Sequence, residues 1–242
     1  MTTALAVARH EPVRWHLIEA RGADAATFLQ GQLSCDLLAV ASGAGAPGLL
    51  LSPGGEVITS LTCVRQPEGI DLVLRAEVVE STLASLRRFL LRTECELRDA
   101  GETRGPYATV GEQIDLGEPG PHEFARGVAA HAFGQSFVDR HVSFTKGCFT
   151  GQELVGRLDS RGGNVPFRFA RVRGHELERL VAVVASAGPT GERALQGLTT
   201  VVAGEDVVAL ALVHRTLLGE ASSAVIDEVS VELLHDARSD AR

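Results

Sequence analysis

The residues best suited to chemistry lie in one short stretch, Lys146 to Glu153, which reads KGCFTGQE. Lys146 stands two positions before Cys148, and a nearby positive charge favours the thiolate, the nucleophilic form of cysteine. Thr150 and Glu153 have the spacing of a capping box, which predicts that a helix begins here. The free N–H groups of a helix start favour a thiolate and hold anions. The stretch therefore predicts an activated thiol beside an anion-binding helix end.

The same residues also have plain structural interpretations. Cys148 can be a packed and inert thiol, and Lys146 a solvated surface charge. Glu153 and Arg157 stand four residues apart, a spacing at which an ion pair on a helix surface contributes only about 0.2–0.5 kcal/mol. From the residues alone, both interpretations stay open.

The other three cysteines, at 35, 63 and 95, are spread widely along the chain. Zinc sites and iron-sulfur clusters usually draw on closely spaced cysteine pairs, so the sequence predicts neither kind of site. Cys63 shares one face of a predicted strand with Leu61, and Cys95 shares one with Leu97, which predicts that both are packed hydrophobes. Cys148 is therefore expected to be the most reactive of the four thiols.

Charge and hydropathy exclude several classes of protein. The 242 residues include 23 Lys and Arg against 31 Asp and Glu, a formal net charge of −8, and there is no basic run. Direct nucleic-acid binding is therefore not expected. The first residues lack the pattern of a signal peptide, and the apolar run 207–213 is far shorter than the roughly 20 residues of a membrane span. We expect a cytoplasmic protein with reduced thiols and no membrane association.

Hydrophobic periodicity in the first hundred residues predicts the order β-α-β-β-β-α-β, an α+β layer of helices on a largely antiparallel sheet. Asp24 is expected to cap the first helix, and the turn Ser52–Gly55 to join a hairpin. The predicted elements are strand 13–20, helix 25–33, strands 48–51, 56–65 and 70–74, helix 77–92 and strand 94–98.

Glycine and proline mark the remaining organisation. Gly43–Gly48 is a literal GxGxxG, but a strand rather than a helix follows it and Pro47 has no N–H, so a surface loop is predicted rather than a dinucleotide site. The stretch 101–121, rich in glycine and proline, predicts a boundary or a surface loop. After Pro166, short β-branched runs predict a small β-rich module. These runs are 169–172, 180–185, 207–213 and 229–234.

The KGCFTGQE stretch resembles the signature of the YgfZ family of folate-binding proteins, relatives of the glycine-cleavage T protein, an aminomethyltransferase. Phe149 stands where that family more often has tyrosine, and Gly156 where it usually has alanine. Three further parts of the chain are similar to the family. They are FLQGQLSCD at 28–36, the hairpin segment LLSPGGEV at 50–57, and the terminal-barrel strands near 197–200 and 209–213.

The resemblance implies a GcvT/YgfZ-like α+β fold of three subdomains around a central cavity. Residues 1–100 would form the N-terminal folate-binding subdomain. Residues 101–165 would form a shortened middle subdomain that carries the motif, and residues 166–242 a C-terminal β-barrel-like module.

The resemblance also implies that the protein binds tetrahydrofolate, or a one-carbon derivative, and supports assembly or repair of iron-sulfur proteins, including tRNA-modifying enzymes. Cys148 and Lys146 would be the chemically active residues, with Lys146 tuning the thiol or meeting the anionic tail of folate. Asp36 would accept hydrogen bonds from the aminopterin ring, unless it is only a cap or turn residue. The residues expected to contact folate are Asp36, Gln32, Lys146, Gly147, Gln152, Glu153 and Arg157.

Two other functions stay open. The first is an aminomethyltransferase of the glycine-cleavage system, which would need a catalytic carboxylate; the KGC signature points away from it. The second is a scaffold of the same fold that does not bind folate, suggested by the short middle subdomain. Whether the protein catalyses a reaction is left open.

Overall fold

The computed structural model describes residues 7–188, 197–202 and 204–235. The first part of the chain forms a five-stranded sheet in which all neighbouring strands are antiparallel. Its strands are β1 (Trp15–Arg21), β2 (Gly45–Leu51), β3 (Val57–Gln66), β4 (Gly69–Arg75) and β5 (Glu96–Thr103). The strand order is β2-β3-β4-β1-β5. The hairpin predicted around the turn Ser52–Gly55 is confirmed as β2 and β3.

Helices α1 (Ala25–Gln32) and α2 (Val79–Arg87) pack with this sheet to form one hydrophobic core. Strand side chains alternate between the two faces of a sheet, so every second residue of β4 is buried in this core. The alternation of β3 carries Cys63 into the same core.

Several local predictions for this region are wrong. The Asp24 carboxylate does not cap α1; it accepts a hydrogen bond from the Glu94 N–H at 2.8 Å. The predicted helix 77–92 is a 3-10 turn followed by α2, which ends at Arg87, and Phe89 is 44% exposed. The predicted loop at Gly43–Gly48 is largely strand, because β2 begins at Gly45 and pairs with β3.

The middle of the chain is helical and packs between the two sheets. An aromatic cluster that includes Phe124, Phe133, Phe137 and Phe169 lies at its centre. The helices are α3 (Val110–Leu116), α4 (Pro121–Phe124), α5 (Gln135–His141) and α6 (Gln152–Ser160).

Of the two alternatives predicted over 101–121, a boundary or a surface loop, the surface loop is wrong. Strand β5 continues to Thr103, and α3 begins after Thr109, whose hydroxyl accepts a hydrogen bond from the Glu112 N–H. Helix α3 ends at Leu116 and is followed by Gly117 in the left-handed conformation. Both signals, a Thr three residues before a Glu and a glycine after the last turn, are present in the sequence.

The last part of the chain forms a second five-stranded antiparallel sheet, covered by helix α7 (Leu177–Ala185). The strand predicted over 180–185 is therefore wrong. Leu180, Val183 and Val184 share one helical face that packs into the core of this sheet, and this burial outweighs the β-propensity of valine. The strands are β6 (Phe167–Gly174), β7 (Gly197–Val202), β8 (Val207–His214), β9 (Ser223–Ile226) and β10 (Val229–Leu233).

The strand order of the second sheet is β7-β8-β6-β10-β9. Within the described residues β7 and β9 are its two ends, so the sheet is open there rather than closed into the expected barrel. None of the helices in the described part of the chain has the length and apolar character of a membrane span. The architecture is thus a mixed α/β fold of two antiparallel sheets with helices between and outside them.

Candidate functional site

Three segments that are far apart in the sequence meet at the carboxyl end of α1. They are the end of α1 with the residues after it (28–36), the hairpin turn (50–57) and the loop before α6 with the first residues of that helix (146–153). A backbone hydrogen bond joins the first and the third, from the Thr150 N–H to the Gly31 carbonyl at 3.1 Å. Just before the third segment, the Ser143 N–H donates to the Ser34 carbonyl at 2.9 Å. All three segments are among the parts of the chain that carry the sequence resemblance.

Lys146 fastens its loop to the end of α1. Its side-chain nitrogen Nζ donates to the carbonyl oxygens of Gln30, Leu33 and Cys35 at 2.5, 2.6 and 2.9 Å. The last carbonyls of a helix have no partner within the helix, and that end carries negative partial charge. Since the last turn of α1 contains no basic residue, Lys146 supplies the positive charge from another part of the chain.

The choice of lysine at this position has a geometric reason. Lys146 is the only lysine in the sequence, and the other basic residues are arginines. An ammonium has three donors around one atom, which match three converging carbonyls, whereas the donors of a guanidinium lie in one plane. Lys146 is only 9% exposed, and its Nζ also lies 5.1 Å from the centre of the Phe149 ring.

Burial lowers the pKa of Lys146 from its ordinary value, while the neighbouring Cys35 acts in the opposite direction. All three ammonium donors are directed at carbonyl groups, so the geometry gives Lys146 a positioning role. The proposed contacts of Lys146 with the Cys148 thiol or with a folate tail have no counterpart among these three bonds. The single lysine of the chain is a signal for this positioning role, and the predictions from the sequence did not use it.

The hairpin turn and the start of α6 are in direct contact through two glycines. Gly151 has φ +79°, and a Cβ placed there would lie 2.6 Å from the Ser52 carbonyl oxygen. Gly55 has φ +90°, and a Cβ there would lie 2.5 Å from the Cβ of Leu154. Only glycine permits this close approach with these backbone angles.

Cys148 is exposed, four residues before α6 begins. The capping box predicted from Thr150 and Glu153 is wrong: the residue before α6 is Gly151, and the Thr150 hydroxyl donates to Gln32 at 3.1 Å. The tertiary contact with α1 therefore replaces the local cap. Of the other cysteines, Cys63 is buried on β3, and Cys95 is half-buried immediately before β5.

Asp36 is half-buried just beyond α1, and its carboxylate accepts a hydrogen bond from the Gln30 amide at 2.9 Å. The oxygen of the same amide accepts from the Leu37 N–H at 2.8 Å. Gln30 therefore orients Asp36, a relation that the sequence analysis did not anticipate.

The remaining predicted folate residues lie along the loop and α6. Gly147, Glu153 and Arg157 are exposed, whereas Gln32 and Gln152 are half-buried. The acceptor side of Gln32 is used by Thr150. The structure thus holds the loop of Lys146 against the end of α1, with Cys148 exposed on that loop and Asp36 half-buried beyond α1.

A cavity of about 590 Å³ lies elsewhere, between the middle helices and the second sheet. Its walls include His131, Gln135, Arg168 and Arg215. Burial lowers the pKa of His131, against the nearby carboxylate of Asp159. A search of the described residues finds no group of three His, Cys, Asp or Glu side chains that could hold a metal ion.

The chemistry of the residues at the end of α1 fits one edge of a folate. An amino-pterin ring presents adjacent N–H donors, and the Asp36 carboxylate is an acceptor that Gln30 holds in place. On α6, Gln152 presents a half-buried amide and Arg157 an exposed cation.

Comparison with known proteins supports the fold. No family model matches the chain. An uncharacterized protein of Haemophilus influenzae is 26% identical over 195 aligned positions, and the match covers 62% of this chain and 68% of that protein. The crystal structure of glycine cleavage system aminomethyltransferase T from Bartonella henselae matches with a TM-score of 0.55 at 14% identity, over 94% of this chain and 86% of that one. The chain thus has a fold similar to that of this aminomethyltransferase.

Proposed function

We propose that this protein binds tetrahydrofolate, or a one-carbon derivative of it, and supports the assembly or repair of iron-sulfur proteins, including tRNA-modifying enzymes. The observation that carries the proposal is the convergence of three segments at the end of α1, with Cys148 exposed on a loop that Lys146 anchors. The fold similarity to a glycine cleavage system aminomethyltransferase and the resemblance of the KGCFTGQE stretch to a folate-binding family support the proposal.

The chain's own residues divide the work between binding and presentation. Asp36, oriented by Gln30, accepts hydrogen bonds from the pterin. Lys146 keeps the loop in place, so that the Cys148 thiol stays at the surface, where a client protein can reach it. When bound, a one-carbon derivative of tetrahydrofolate would supply the one-carbon unit that its nitrogens carry.

Titration calorimetry with tetrahydrofolate tests the binding half of the proposal. We expect wild-type protein to bind and Asp36→Ala to bind at least about tenfold more weakly, because a lost charge-assisted hydrogen bond costs roughly 1.5–3 kcal/mol. Glu80→Ala, an exposed carboxylate on α2, is the control and keeps wild-type affinity. Unchanged affinity in Asp36→Ala would remove Asp36 from the site. No binding by the wild type would favour the folate-free scaffold.

Complementation of a cellular defect in iron-sulfur enzymes tests the second half. Cys148→Ala should fail to complement, and Cys95→Ala, which changes a half-buried thiol, should complement fully. Full complementation by Cys148→Ala would refute the role of its thiol.

The fold similarity favours one second candidate, an aminomethyltransferase of the glycine-cleavage system. Such an enzyme would rely on a carboxylate rather than on Cys148. A glycine-cleavage assay of the wild type and of Cys148→Ala separates the two candidates. Activity in the wild type that Cys148→Ala retains in full would establish the aminomethyltransferase.

A further inference from the structure

A second pair of thiols lies next to the Lys146 anchor. The sulfur atoms of Cys35 and Cys63 are 3.5 Å apart, although 28 residues separate them in the sequence. Cys35 follows the end of α1 and is 5% exposed, and Cys63 lies on β3 and is completely buried. Two packed thiols in contact are close to the arrangement that a disulfide requires.

The surrounding backbone leaves room for this pair. Strand β2 passes beside it at Gly48, where a Cβ would lie 2.6 Å from the sulfur of Cys35. Any other residue at Gly48 would push that sulfur away. The alternation of β3 carries Cys63 toward the same point.

The charges around the pair distinguish the two sulfurs. The hydrogen bond from Cys63 lowers the pKa of Cys35, and the positive charge of Lys146 acts in the same direction. Burial raises the pKa of Cys63 well above its ordinary value. Cys35 is thus the sulfur that ionises first, and it is also the more accessible of the two.

We propose that Cys35 and Cys63 form a redox-active dithiol that closes to an intramolecular disulfide on two-electron oxidation by a peroxide, and that closure loosens the Lys146 anchor. The Cys35 thiolate attacks one peroxide oxygen and the O–O bond breaks, leaving a sulfenic acid on Cys35. The hydroxide that departs takes up the proton that Cys35 lost on ionising and leaves as water. The Cys63 sulfur then attacks the Cys35 sulfur, the S–O bond breaks, and its hydroxide leaves as a second water with the Cys63 proton. The two sulfurs lose two electrons, and the peroxide gains them.

The coupling to Lys146 follows from which residue can move. The sulfurs must approach by about 1.5 Å to reach the length of a disulfide bond. Cys63 is held within β3 by its neighbours on both sides, so Cys35, in the bend after α1, takes most of the displacement. The carbonyl of Cys35 is one of the three acceptors of Lys146, so this displacement alters the anchor.

Peptide mapping tests the disulfide itself. The full chain is treated with hydrogen peroxide, the free thiols are alkylated under denaturing conditions, and the peptides are separated without reductant. We expect one linked pair that contains Cys35 and Cys63 and disappears with dithiothreitol. Cys148→Ser should retain the linked pair, and Cys63→Ala should lose it. Oxidation of Cys95 or Cys148 in wild-type protein while Cys35 and Cys63 stay free would overturn the proposal.

The single lysine gives a direct measurement of the coupling. An amine-acylating reagent can modify only Lys146 and the N-terminal amine, and mass spectrometry separates the two sites. We expect oxidation to speed acylation of Lys146 by about tenfold, because acylation needs the anchor to open. Peroxide-treated Cys63→Ala, which cannot close the disulfide, should react at the reduced rate.

Equal acylation rates in oxidised and reduced wild-type protein would refute the coupling. Both measurements are made without folate and without an iron-sulfur client. Their failure would therefore leave the proposed function untouched, and failure of folate binding would leave them untouched.

Discussion

Replacing Lys146 by methionine removes the ammonium group and keeps an unbranched side chain of similar length. Three carbonyls near the end of α1 lose their donor, and the surrounding loop closes off much of their access to water. Hydrogen bonds to a charged group contribute about 1.5–3 kcal/mol each, so three of them amount to roughly 4–9 kcal/mol. The variant also no longer buries a charge, and this offsets several kcal/mol of the lost stability. We expect the free energy of unfolding to fall by about 2–4 kcal/mol.

Urea denaturation followed by circular dichroism measures this loss, and amide hydrogen exchange locates it. Exchange should accelerate in the loop at 146–151 and at the end of α1 before it does so in the second sheet. Lys146→Arg should recover less than half of the loss, because a planar guanidinium cannot direct donors at three converging carbonyls. Arg157→Met, which removes an exposed cation from α6, is the control and should change stability by no more than about 0.5 kcal/mol.

Two results would refute this reasoning. One is a Lys146→Met variant whose stability lies within about 0.5 kcal/mol of wild type, because the ammonium would then have no structural role. The other is full recovery by arginine, which would mean that charge alone matters and that the three-donor geometry does not.

Three other substitutions and one pH profile extend these expectations. Gly151→Ala should destabilise the protein by about 2–4 kcal/mol, because Gly151 has a positive φ and a Cβ there would contact the Ser52 carbonyl. Gly156→Ala should stabilise the protein by about 0.5–1 kcal/mol, because Gly156 lies in α6 with open space around it. Thermal unfolding of the two variants checks both expectations. Burial lowers the pKa of His141 from 6.5 to about 4. The unfolded state therefore binds more protons than the folded state between these values, and stability should fall by up to roughly 3 kcal/mol as the pH drops through this window. Urea titrations from pH 7 to pH 4 should show a smaller fall in His141→Leu; an equal fall would assign the effect to other groups. Cys148→Ala, at an exposed position, should unfold within about 0.5 kcal/mol of wild type, and a larger loss would mean that the thiol is structural.

Patterns carried by neighbouring residues were readable from the sequence. The alternation of β3 and β4 and the Pro-Gly turn between β2 and β3 predicted that hairpin and the strand after it, because side-chain period and turn chemistry are local properties. The predictions over 101–121 and 180–185 failed for different reasons. The start signal of α3 at Thr109 is present in the sequence, but the glycines and prolines around it favoured the prediction of a loop. Helix α7 depends on a sheet whose strands lie both before and after it.

The candidate site divides in the same way. Neighbouring residues are enough to place Lys146 and Cys148 in one short loop and Asp36 after the first helix, and the single lysine is visible in the sequence. The packing of distant segments directs Lys146 away from solvent into three carbonyls of another segment, and it bonds Thr150 to Gln32 in place of a cap on α6. The same packing brings Cys35 against Cys63. The physical reason is that unpaired carbonyls at a helix end must find donors, and which donor reaches them depends on how distant segments pack.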